Sequence, residues 1–227
     1  MLQFFAKYKK FAVIMAILSA IILYIIYTLL TPPPSLPVYQ PTMVDAALVD
    51  STKRFEKKFH RIADFKLVNQ NGDTITQADY KDKIYVADFF FTTCQSICPI
   101  MTDHMIQIQK KIKGDNKVKL LSHTVIPEID TVAQLKRYAE EKGVDDAKWN
   151  LVTGPKKEIY DLARKSYLAV KTSGDGGKYD MIHTENFMLI DSKKRIRGFY
   201  DGTDPEAIEK LMEDIEKLEK IEKNEHS

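Results

Sequence analysis

From Phe11 to Leu30 the chain reads FAVIMAILSAIILYIIYTLL, twenty residues without a charge. At about 1.5 Å of rise per residue, a helix of that length spans the roughly 30 Å hydrocarbon core of a bilayer. Beyond it the pattern changes to short periodic blocks. DFKLVNQNGDTITQADY holds two short alternating runs around Asn71-Gly72, which predicts a hairpin. KIYVADFFF is nearly continuous in β-branched and aromatic residues and predicts a buried strand. Apolar residues at Ile100, Met101, Met105, Ile108 and Ile112 follow a helical period. KVKLLSHTV predicts a second strand. A helix capped by Asp130 or Thr131 follows, with Gly143 as its stop. After a short strand, Gly154-Pro155 opens a helix to about Ser166, with Pro155 near its first position. NFMLID and RIRGFY predict a closing hairpin. A last helix from about Pro205 carries Ile208, Leu211, Ile215, Leu218 and Ile221 on one face, and its EDIEKLEKIEKNEHS end predicts a solvated face that frays.

Strands alternating with helices predict an α/β domain with a largely parallel centre and an antiparallel hairpin at one side, thioredoxin-like in outline. The chain is thus expected to comprise a cytoplasmic N-terminus (1–10), a transmembrane anchor (11–30), a proline-rich linker (31–60), a thioredoxin-like domain (61–222) and a tail (223–227). Lys7, Lys9 and Lys10 precede the apolar run, which by the positive-inside rule puts the N-terminus in the cytoplasm and the domain on the extracytoplasmic side. A cleaved signal peptide is the rival reading. The run exceeds the usual apolar region of such peptides, and TPPPSLP supplies no small-x-small cleavage site. No cysteine follows the run, so lipoprotein processing is not expected either. Pro32, Pro33, Pro34, Pro37 and Pro41 predict a stiff, extended spacer.

Composition adds little. With 227 residues, 44% of them hydrophobic, one substantial core, or at most two small ones, is expected. A net charge of +2 predicts no general attraction to nucleic acid. A single anchor and no obvious apolar surface patch make a monomer the expectation.

The two cysteines, Cys94 and Cys98, lie where the buried strand hands over to a helix, and Pro99 suits a first helical turn. A spacing of four places them on one helical face, roughly 5–6 Å apart at Cβ. Free N–H groups at a helix start favour thiolates, so at least one thiol is expected to be acidified. A disulfide staple would close only a tiny loop, which limits its stabilising effect. A redox couple and a metal site both remain. Two thiolates favour soft or borderline ions such as Cu(I) or Zn(II). Among the histidines, His60 and His226 are expected to be solvated, and His104 is expected on the exposed side of the helix after Cys98. His123 leaves a strand. His183 ends the glycine-rich GDGGKYDMIH segment just before a strand, where sites gather in open α/β sheets. Spacing alone favours a surface histidine over a ligand.

VADFFFTTCQSICPIMT resembles the D-F-x-F-T-x-C-x-x-x-C-P-x-M-T signature of the Sco (SenC) copper chaperones. HTVIPEIDTVAQLKRYAEEKG, HTENFMLID and RIRGFYDG are similar to further segments of that family, so the resemblance covers roughly Arg61 to Lys217. It implies a thioredoxin-like domain in which Cys94, Cys98 and His183 bind one copper, with Asp88 matching a carboxylate behind the ligands that steers copper or a partner. It further implies delivery to the CuA centre of cytochrome c oxidase, from an upstream donor the sequence does not identify. Ile126 stands where many members have Asp, and His123 where Phe is frequent. The alternative is an enzyme, a thiol-disulfide reductase that keeps the recipient's cysteines reduced. Against a general reductase, the spacing is CxxxC rather than CxxC, and Glu185 falls near the place of the usual cis-proline. A peroxiredoxin-like activity lacks its upstream proline. Met101 and Met105 are expected to pack in the core.

Overall fold

The computed structural model describes residues 8–30, 35–45, 49, 60–170, 177 and 180–225. The Pro32–Pro34 run, most of the glycine-rich segment before Asp180, and His226 lie outside them. Two compact units are present, Met1–Ser35 and Leu36–Ser227. The first holds α1 (Lys9–Leu30), in which Lys9–Tyr27 is long and apolar enough to cross a membrane.

The second unit is one mixed sheet of seven strands. β1 (Lys66–Asn69) and β2 (Thr74–Thr76) form the first hairpin, turned by Gly72 at φ 84°. β3 (Ile84–Phe90) and β4 (Val118–Thr124) flank α2 (Cys98–Lys111). α3 (Val132–Lys142) and β5 (Trp149–Thr153) follow, then α4 (Lys156–Asp161), β6 (Asn186–Ile190), β7 (Ile196–Asp201) and α5 (Pro205–Glu225). The strand order is β2-β1-β5-β4-β3-β6-β7. Only β3–β4 and β4–β5 are parallel. The sequence predicts a hairpin on one side. In the structure both sheet edges are hairpins, because β1 pairs antiparallel with β5 through Val68 and Thr153 while β6 pairs antiparallel with β3. Hydrophobic alternation sets which face a strand buries, but not which neighbour it finds.

Local signals set the helix ends. Thr131, not Asp130, caps α3, its hydroxyl accepting the Gln134 N–H at 3.3 Å, and Gly143 ends that helix in the left-handed region at φ 73°. Pro155 sits one position earlier than expected, as the N-cap of α4. The helix widens into a π turn at Leu162–Ser166, which carries Arg164 and leads directly to Tyr167. α5 continues helical to Glu225, and its Ile208, Leu211, Ile215 and Leu218 are buried.

Two apolar layers cover the sheet. Met101, Met105 and Ile108 of α2 pack with Leu135 of α3 and the α5 stripe on one face. Ile159, Tyr160 and Tyr167 pack with Ile62 and Phe65 on the other. Each such side chain contributes about 1.5–3 kcal/mol on burial. Every residue of β3 is buried, as its near-continuous apolar sequence requires of a central strand.

The latter part of the proline-rich stretch is not a free spacer. Arg197 donates to the carbonyls of Leu36 at 2.8 Å and Pro37 at 2.9 Å, and Tyr39 N–H bonds Ile196 O at 2.9 Å. The segment lies against β7 because its extended backbone, though poor in donors, keeps its carbonyls free to accept.

Candidate metal centre

β3 delivers the chain to the edge of the core at Phe90, and the seven residues Phe91 to Ile97 turn it into α2. Cys94 N–H bonds Phe91 O at 3.2 Å, which folds the loop back toward the helix start. Cys98 is the first residue of α2 and is buried, whereas Cys94 is half-buried; both are free thiols. The Cys98 N–H donates to Cys94 Sγ at 3.4 Å, and Ser96 Oγ lies 3.6 Å from the same sulfur. These contacts separate the two thiols. Burial pushes against Cys94 ionising, but the Cys98 thiol and the N–H groups of Ser96 and Cys98 outweigh it and bring the group down to about 7. Burial raises Cys98 to about 12, helped by its hydrogen bond to Cys94 and by the nearby Cys94 and Asp88 charges.

Asp88 sits in β3 on the face that carries α2, opposite Ser122 in the sheet register. Burial lifts its carboxyl to about 7, against the hydrogen bond from Ser122. Its Oδ1 has no hydrogen-bond partner.

The loop is held from the neighbouring strand end by Asp130, which is fully buried. Its carboxylate accepts from Thr92 N–H at 3.2 Å, from the Thr92 hydroxyl at 2.5 Å and from the Thr124 hydroxyl in a short contact. Sequence reasoning takes Asp130 only as a possible helix cap. Its position in the quoted PEIDT run is the signal that marks it, but that run does not show which loop the carboxylate reaches.

His183 is exposed and comes to the site through an aromatic contact. Its ring meets the Phe91 ring edge-on, with centroids 6.0 Å apart. Phe91 is also the first residue of the cysteine loop, and its carbonyl accepts the Cys94 N–H, so His183 meets that loop at its first residue. Among the described residues, no three His, Cys, Asp or Glu side chains stand together as a ready-made cage. The two sulfurs are paired, and the imidazole stands apart across Phe91.

The remaining histidines fall elsewhere, and two expectations are corrected. His60 is buried, its Nε2 2.7 Å from Ser166 O, because the chain before β1 folds under the π turn. His104 is buried too, with Nδ1 2.8 Å from Gly202 O; the side of α2 expected to face solvent meets the β7–α5 turn instead. His123 points to the opposite face of the sheet from Asp88. It stacks on Phe89 at 4.9 Å and meets Tyr167 edge-on, its Nε2 has no partner, and burial lowers it to about 4. Met101 and Met105 are buried, in keeping with core packing.

A mixed sheet with a helix leaving its central parallel strand, and a thiol pair at that junction, is a thioredoxin-like arrangement. The chain belongs to the SCO1/SenC family, whose model matches residues 53–220. The SCO1 protein homolog of Bacillus subtilis (strain 168) is 32% identical over 158 residues, covering 69% of this chain and 81% of that protein. The solved structure of BsSco, a member of the Sco family of cytochrome c oxidase assembly proteins in which a disulfide switch is identified, superposes with a TM-score of 0.60 at 31% identity, covering 70% of this chain and 93% of that one. Arabidopsis thaliana ScoI with copper bound superposes at 0.55 and 26% identity, covering 71% and 98%.

Proposed function

We propose that this chain is a membrane-anchored copper chaperone that holds one copper ion with Cys94, Cys98 and His183 and passes it to the CuA centre of a cytochrome c oxidase. Copper here is cargo. The observation that carries the reading is the thiol pair at the start of α2, with one sulfur acidified and half-exposed and the other buried behind it. Two sulfurs and an imidazole are a donor set that Cu(I) favours, and Cu(I) tolerates two- and three-coordinate geometry. The copper-bound Arabidopsis relative and the oxidase-assembly role of BsSco support the same cargo and recipient.

On this reading Cys94 is the first sulfur to meet the metal, since it ionises near neutrality. The Cys98 proton leaves when the ion binds. His183 is drawn in from across Phe91 to complete the set, and the same mobility of position lets a recipient's ligand displace it first. Asp130 keeps the cysteine loop in register while ligands exchange. α1 is the anchor, with its lysine-flanked end in the cytoplasm and the domain outside.

The test is anaerobic Cu(I) titration of the full chain in detergent, comparing the wild type with His183→Ala. One tightly held ion in the wild type and weaker retention in the variant support the site. Equal retention in both removes His183 from the ligand set.

A second reading has one observation in its favour. The split between an acidified, accessible Cys94 and a buried, alkaline Cys98 also suits an attacking thiol and its resolving partner. Full support of oxidase assembly by His183→Ala, with none by Cys94→Ser, would favour a thiol reductase over metal delivery.

A further inference from the structure

Burial alternates residue by residue through the segment that carries His183. Met181 is exposed, Ile182 buried, His183 exposed, Thr184 buried and Glu185 exposed. That period of two is the signature of an extended chain, so Met181 and His183 project from the same outer side. Alternate residues of an extended chain stand roughly 6.6 Å apart at Cα, which a three-torsion thioether and an imidazole together span around one ion.

Met181 is 46% exposed, although a methionine ordinarily belongs inside. Outside α1, only Met43 shares that exposure among the described methionines, while Met101, Met105 and Met188 are fully enclosed. The segment is held at both ends. Upstream, Asp180 is tied to Arg164 at 2.7 Å, and its carbonyl accepts from Tyr160 OH at 3.1 Å. Downstream, Thr184 Oγ1 accepts the Asn186 N–H at 3.2 Å where β6 begins. Between these ties the buried Ile182 acts as a plug that keeps its two neighbours outward. Asp180 is thereby occupied in an ion pair, and among the described residues the next carboxylate along the segment, Glu185, is a hard oxygen donor that suits Cu(I) poorly. The soft donors facing outward are one thioether and one imidazole.

We propose that Met181 and His183 form an entry site for Cu(I), which receives the ion before the two sulfurs take it. The onward step rests on the copper reading of Cys94 and Cys98; the pair's own affinity does not. Two-coordinate capture by the thioether and the imidazole precedes exchange. The Cys94 thiolate bonds the ion and the Met181 sulfur leaves it, then the Cys98 thiol loses its proton to water as its sulfur binds. Copper stays Cu(I) throughout. The direction follows from donor strength, since a thiolate holds Cu(I) more firmly than a thioether. His183 belongs to both sites, and its ring lies edge-on against Phe91, the first residue of the loop that carries Cys94.

The test uses the full chain in detergent with Cys94→Ser and Cys98→Ser, which leaves only the outer pair. Anaerobic Cu(I), and Ag(I) as a redox-inert probe, are titrated while the methionine methyl signals are followed by NMR. The expected result is one ion bound with a shift confined to the Met181 methyl. Met181→Leu in that background should then weaken binding by about tenfold or more, the scale on which partners of a metal site act. Glu185→Gln should leave binding unchanged. An unmoved Met181 methyl, or a Met181→Leu variant that binds as well as its parent, overturns the proposal. A wild type that holds Cu(I) no more tightly than the Ser/Ser variant would instead overturn the three-ligand site and leave the entry site standing.

Discussion

Asp130 accepts both the backbone N–H and the hydroxyl of Thr92, at 3.2 and 2.5 Å, across thirty-eight residues of chain. The loop that presents Cys94 is thus held by a distant carboxylate as well as by its own Cys94–Phe91 hydrogen bond. Asp130→Ala strands the Thr92 and Thr124 donors in a buried place. It should lower stability by about 2–3 kcal/mol, read as a drop in denaturant midpoint. It should also speed alkylation of Cys98, which an unchanged loop would not allow.

The two thiols should separate by reactivity. Cys94, lowered to about 7, becomes thiolate as pH rises through neutrality, so its alkylation rate should climb between about pH 6 and 8 and then level. Cys98, raised to about 12, should stay slow over that range. Mass spectrometry of partly alkylated protein distinguishes them, and equal rates at the two positions would contradict the geometry.

Asp88 and His123 pull stability in opposite directions with pH. The raised Asp88 carboxyl holds a proton in the fold that the unfolded chain has lost, so its contribution is present below its ordinary value near 4 and is lost as pH rises toward about 7. The lowered His123 must charge on unfolding first, so its contribution is present above its ordinary value near 6.5 and is lost as pH falls toward about 4. In the wild type the two slopes largely offset. Asp88→Asn should therefore lose stability from pH 7 to pH 4, and His123→Phe should gain it. Parallel slopes in the two variants would refute the assignment.

The Arg164–Asp180 pair is buried on both sides and anchors the segment leading to His183. Arg164→Met leaves Asp180 buried without that cation and should destabilise the domain by about 3 kcal/mol. Faster copper release at unchanged stoichiometry, measured with a colorimetric Cu(I) chelator, should accompany it. A variant that is less stable yet releases copper at the wild-type rate would show that the anchor does not position the imidazole.

Much of this architecture is legible in the chain. The apolar run, the Asn71-Gly72 turn, the buried β3, the Thr131 cap and the Gly143 stop are written in local sequence, because each depends on a period or on one residue's own conformational preference. The CxxxC-P spacing announces a thiol pair at a helix start for the same reason. The histidines were less readable. His60 and His104 look like surface residues from their neighbours in sequence, yet each finds a carbonyl about a hundred residues away, Ser166 and Gly202.

By itself, then, the sequence determined a helix long and apolar enough to cross a membrane, the order of strands and helices, and the two sulfurs with the class of ion they suit. Only the tertiary structure decided that both sheet edges are hairpins, that Asp130 carries the cysteine loop, and that Phe91 brings His183 beside it while Met181 shares its outward side. Short-range preferences are properties of a few adjacent residues. Edge pairing, buried polar satisfaction and the contact of His183 with Phe91 depend instead on which distant segments share a face once the core has closed.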